Sequence, residues 1–112
     1  MVGSITKTGC DVFCCAEPME ELIPGTTDAA VEKHVPEFTV NGNIVDVTVG
    51  SVEHPMLDAH YIGWIMLETK EGRQRKTLRP GEKPVAKFSL VPGDEVVAAY
   101  EYCNLHGLWK AE

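Results

Sequence analysis

The chain reads as an all-β protein, an immunoglobulin-like antiparallel β-sandwich preceded by an irregular N-terminal arm. Three observations carry that reading. From Phe38 onward, short runs rich in β-branched and aromatic residues recur. Gly, Pro and Asn pairs punctuate them. No window sustains the apolar period of a long helix, and short strands at this spacing favour a sandwich.

Taken in order, residues 1–30 are broken by Gly3, the cysteines Cys10, Cys14 and Cys15, Pro18, Pro24 and Gly25. They form the arm, in which Ala16 to Ile23 has room for one helical turn. Strands are predicted over Phe38 to Val40, Ile44 to Val52, Tyr61 to Thr69, Val85 to Leu90 and Val96 to Tyr102. Asn41-Gly42 is a hairpin signal, and Glu71-Gly72, Pro80-Gly81 and Pro92-Gly93-Asp94 supply further turns. Val52 to His60 has neither period and reads as a loop with at most a turn of helix. The expected division is an arm over 1–30 and a sandwich domain over 31–112.

At 112 residues the chain can bury one core. Apolar residues make up 44% and charged residues 24%, the balance of a folded globular domain. The net charge of −7 leaves no basic excess to neutralise phosphates, so neither nucleic acid nor an anionic membrane is an expected partner. No run approaches the roughly 20 apolar residues of a membrane span. Asp11, Glu17 and Glu20 stand where a signal peptide needs an apolar stretch, and a cytoplasmic location is expected. An anionic substrate would need a local cation to offset the overall field.

Four histidines and four cysteines are the chemically distinctive residues. His34 precedes Pro36, His54 precedes Pro55, His60 opens a predicted strand, and His106 follows Cys103 by three residues. Each histidine alone has an ordinary reading as a surface or core residue. Cys103-Asn104-Leu105-His106-Gly107 at a strand end sets a thiol and an imidazole on one tight turn, a common way to present two metal ligands. The same turn is compatible with a buried free cysteine beside an exposed histidine.

Three segments occur in a telling order: Glu32-Lys33-His34-Val35-Pro36, then His54-Pro55-Met56-Leu57-Asp58-Ala59-His60-Tyr61-Ile62, then Cys103-Asn104-Leu105-His106-Gly107-Leu108-Trp109. Together they resemble the superoxide reductase family, also known as desulfoferrodoxins and neelaredoxins, over roughly residues 30–110. The resemblance implies one iron per chain, cycling between Fe(II) and Fe(III). His34, His54, His60 and His106 would be its equatorial ligands and Cys103 its axial thiolate. It implies further that Glu32 binds the ferric state at the open position and that Lys33 draws in superoxide. The implied partners are superoxide, a rubredoxin-like electron donor and further copies of the chain in a dimer or tetramer. Physical chemistry agrees with a redox metal, because zinc has no accessible second oxidation state and five ligands exceed its tetrahedral set.

Some family members carry an N-terminal desulforedoxin-like domain with a tetrathiolate iron. Cys14-Cys15-Ala16-Glu17-Pro18-Met19 resembles its second half, but Cys10 stands alone where two cysteines are needed. Three thiols do not complete such a site, and the arm reads as a degenerate remnant. The physical rival is a blue-copper electron carrier, which also uses a cysteine and a histidine on a turn of a sandwich. It would want an axial methionine after the second histidine, and none follows His106.

Overall fold

The computed structural model describes residues 13–14, 16–25 and 31–112. In the arm, β1 (Phe13–Cys14) pairs antiparallel with β2 (Glu17–Pro18). The expected helical turn over Ala16 to Ile23 is therefore absent. Pro18 has no N–H to continue a helix, and it pushes the residue before it into extended backbone. Cys10 and Cys15 lie outside the described residues, as does the Cys14 side chain.

A four-residue helix, α1 (Val31–His34), leads into the sandwich. One sheet contains β3 (Pro36–Asn41), β4 (Ile44–Val49) and β7 (Val85–Ser89) in the order β3-β4-β7. The other contains β5 (Ile62–Thr69), β6 (Gly72–Thr77), β8 (Val96–Cys103) and β9 (Gly107–Ala111) in the order β6-β5-β8-β9. All pairings are antiparallel, and the all-β sandwich is the fold the sequence predicts.

Alternation decides which side chains meet. Val45, Val47 and Val49 of β4 face inward with Ala86 and Phe88 of β7, against Ile65 and Leu67 of β5 and Ala99 and Cys103 of β8. Successive strand residues point to opposite faces, so one register commits each strand's apolar set to the core. Ile65 is fully buried there. Ile65→Val is expected to lower stability by about 1 kcal/mol through one lost methylene and the space it leaves, read as a shift in the urea midpoint at unchanged slope.

Several boundaries differ from those predicted. Gly50, at φ +81°, ends β4 at Val49 rather than Val52. The hairpin turn is Gly42-Asn43, one residue later than the Asn41-Gly42 signal, because Asn41 pairs with Ile44 and Gly42 takes the positive φ. The segment from Val52 to His60 is a loop without helix, closed by a β-bridge between Leu57 and His60. Besides β1 and β2 of the arm, two strands of the sandwich escaped prediction. β6, Gly-Arg-Gln-Arg-Lys-Thr, is exposed throughout, so no alternation marks it; it is an edge strand whose charges discourage further pairing. β9 follows a three-residue turn after Cys103 and buries Trp109.

This topology gathers one end of the sandwich. Pro36 at the start of β3 pairs with Val49 at the end of β4, and Ile62 at the start of β5 pairs with Cys103 at the end of β8. His34, the loop holding His54 and His60, and the turn holding His106 all leave from those points. Among the described residues, no helix is long and apolar enough to cross a membrane.

Candidate metal centre

At that end the four imidazoles form a closed ring. Going round, centroids of His34 and His54 lie 4.7 Å apart, His54 and His60 4.6 Å, His60 and His106 5.0 Å, and His106 and His34 4.8 Å. The cross-ring pair His34 and His60 is separated by 6.3 Å. Four near-equal sides and a longer diagonal describe a near-square. Neighbouring rings stand at 77–89° to one another, so each presents an edge to the centre.

The nitrogens converge as well. His34 Nε2 lies 3.1 Å from His54 Nε2 and 3.1 Å from His106 Nδ1. His54 Nδ1 is 2.7 Å from the Pro55 carbonyl, which can only accept a hydrogen bond, so that nitrogen carries the N–H and Nε2 keeps its lone pair. Among the described residues His60 Nε2 is buried without a hydrogen-bond partner. An electropositive ion among these nitrogens would satisfy the bare His54 Nε2 and the unpartnered His60 Nε2 together. Metal–imidazole bonds of about 2.0–2.1 Å at right angles would set neighbouring nitrogens about 3 Å apart, which is the spacing seen.

Cys103 lies next to the ring, fully buried, with its Sγ 3.8 Å from His106 Nδ1. The possible ligand atoms of His34, His54, His60 and Cys103 all lie within 4.8 Å of one another. Burial pushes the Cys103 thiol up from its ordinary pKa, while the backbone N–H groups of Leu105 and His106 hydrogen-bond the sulfur and pull it down. A coordinated metal would remove the thiol proton outright. Burial likewise depresses His54 to about 4, and depresses His60, so both rings are neutral and able to ligate at neutral pH. The donor set and its unpartnered nitrogen fit one metal ion.

The structure thus brings together the five side chains singled out in the sequence. Lys33 sits beside His34 on α1, half-buried, and its positive charge contributes to the lowering of His60. Glu32 is placed by its backbone in α1, but its side chain lies outside the described residues.

Sequence reasoning missed three neighbours. Trp109 stacks on His34 with centroids 5.1 Å apart and donates from Nε1 to the His106 carbonyl at 3.1 Å. It backs two ring members at once. Asn104 bonds the loop carrying His60. Glu101 is fully buried on the same inward face as Cys103, with neither carboxylate oxygen partnered among the described residues. Burial raises its pKa to about 9. Its odd-number parity with Ala99 and Cys103 was the available signal.

Comparison with known proteins adds sequence and fold relatives. A family model described as desulfoferrodoxin matches residues 26–112. A desulfoferrodoxin from Clostridium acetobutylicum is 51% identical over 104 residues, covering 93% of this chain and 81% of its own. Among solved structures, the superoxide reductase from Treponema pallidum is 44% identical with a TM-score of 0.90, over 98% of this chain and 91% of that one. The superoxide reductase (1Fe-SOR) from Giardia intestinalis is 41% identical with a TM-score of 0.61, over 71% of this chain and 95% of that one.

Proposed function

The chain belongs to the desulfoferrodoxin family, and from that premise we propose that it is a superoxide reductase, with one iron held by His34, His54, His60, His106 and Cys103. The reaction consumes superoxide, one electron and two protons and yields hydrogen peroxide. The observation that carries the reading is the near-square ring of imidazoles with a buried thiol close by, and His60 Nε2 unpartnered among the described residues. Four nitrogens and one sulfur suit a redox metal that keeps a sixth position open, and exceed what tetrahedral zinc accepts.

Bound iron would supply the one-electron change between Fe(II) and Fe(III). The chain's own groups set the conditions for it. Neutral imidazoles leave the net charge near +1 once the thiolate is counted, which favours an anionic substrate. The N–H groups of Leu105 and His106 temper the sulfur's electron donation. Lys33 offsets the repulsion of a chain with net charge −7 and holds water near the open face as a proton source. Glu32, one residue earlier on α1, belongs to the same proposal as the group that occupies the open position after turnover.

The arm over 1–30 and the iron domain over 31–112 are separate units in this reading. The Giardia protein supports it, since 71% of this chain matches nearly all of that one. A rubredoxin-like electron donor and a dimeric or tetrameric state complete the proposal.

The deciding experiment is metal analysis of the purified protein together with peroxide stoichiometry. One iron per chain and one peroxide formed per superoxide consumed are expected; one peroxide per two superoxides would indicate dismutation and overturn the reductase reading. Lys33→Ala is expected to slow the second-order reaction with superoxide by about 10-fold and to flatten its dependence on ionic strength. Pulse radiolysis across a salt series reads both, and an unchanged rate would remove Lys33 from the mechanism.

A further inference from the structure

Asn104 lies between two proposed ligands in sequence yet spends its side chain on a third. Its Oδ1 accepts from the Tyr61 N–H at 2.8 Å, and its Nδ2 donates to the Ala59 carbonyl at 3.1 Å. Its own N–H donates to the Tyr61 carbonyl at 3.1 Å. Those partners are the residues immediately before and after His60. The bridge between Leu57 and His60, bonded in both directions at 2.9 and 3.1 Å, closes the same turn from the other side.

An asparagine in a turn commonly answers a need for left-handed backbone. That reason does not apply to Asn104, because Ala16 alone has positive φ among the described non-glycine residues. The side chain is used for its bonding pattern. One amide offers a donor and an acceptor in fixed geometry on a short arm. Aspartate has no donor when ionised, and glutamine is one methylene longer. Asn104 is itself exposed, so burial does not compel these bonds.

We infer that Asn104 is a positioning residue for the metal centre, tying the main chain on both sides of His60 to the residue that follows Cys103. The inference rests on the metal-site reading above. His60 and Cys103 come from different elements 43 residues apart, and their relative placement sets one nitrogen–sulfur pair of the ligand set. Through this clamp the two ligands move as one body. Without the side chain, the loop of His60 is held to β8 at this point by the Asn104 N–H bond to Tyr61 alone, beside the Leu57 bridge within the loop.

The test uses the full chain loaded anaerobically with Fe(II). Asn104→Ala is expected to release iron to a chelator about 10–100-fold faster than wild type, the usual consequence of losing an outer partner of a ligand. Its ferric electron paramagnetic resonance spectrum is expected to change in rhombicity, because one imidazole that would hold the iron has shifted. Asn104→Asp keeps the bond to Tyr61 and is expected to fall between the two; it carries the test if the alanine variant does not fold. Ile65→Val, a core change away from the site, is expected to lower the melting temperature and leave the spectrum as in wild type. Iron release and spectra of both Asn104 variants matching wild type would overturn the clamp while leaving the metal centre standing. A wild-type chain that takes up no iron would overturn both.

Discussion

Cys103→Ser is expected to abolish superoxide reduction and the visible ferric–thiolate band together. The serine hydroxyl is nearly isosteric but stays protonated, so the site loses its one anionic donor and the polarisable sulfur that pushes charge toward the metal. The hydrogen bonds from Leu105 and His106 to the sulfur lose their purpose with it. The four imidazoles can still hold a metal, so binding is expected to weaken by at least about 100-fold rather than vanish, beyond the usual loss from an outer-shell change. Optical spectroscopy and metal analysis of wild type and variant, side by side, decide this. A band that survives in the serine variant would exclude Cys103 as the ligand.

The second large effect belongs to Glu101 in the metal-free protein. Burial raises this carboxyl from 4.5 to about 9, so between those values the folded chain holds a proton that the unfolded chain has released. Stability therefore falls as pH rises through that window. His54 works in the opposite sense. Its pKa drops from 6.5 to about 4, the unfolded chain binds the extra proton, and stability is present above 6.5 and lost as pH falls toward 4. His60, lowered in the same direction, adds to that acid limb. The metal-free protein is expected to be most stable near neutrality and to lose about 3 kcal/mol by pH 9 on account of Glu101. Glu101→Gln, which copies the neutral acid in shape, is expected to remove the alkaline limb. Urea unfolding of both proteins at pH 6.5 and 9 measures it, and parallel pH profiles would show that Glu101 is ionised in the fold.

Much of the centre was legible because its motifs are local. Cys103 and His106 share one turn, His54 and His60 share one loop, and the chain contains no histidine beyond the four in the ring. The main strands were legible for a similar reason: β4, Val45-Asp46-Val47-Thr48-Val49, shows its buried face as a strict alternation. β6 was not legible, because an edge strand with two solvated sides has no reason to alternate. The Ala16 to Ile23 turn was misread because room for a helical turn does not outweigh a proline within it.

By itself, then, the sequence determined the fold class and the family resemblance, and through that resemblance the five candidate ligands, since periodicity, turn residues and motifs are properties of short stretches. Only the tertiary structure decided that His34 and His106, 72 residues apart, put nitrogens within 3.1 Å of each other. It alone decided that His106 offers Nδ1 where His34 and His54 offer Nε2, that Asn104 grips the turn of His60, and that Glu101 lies buried and unpartnered among the described residues. The physical reason is that such contacts depend on strand register and sheet pairing, which sum interactions across the whole sandwich and are written in no single segment of it.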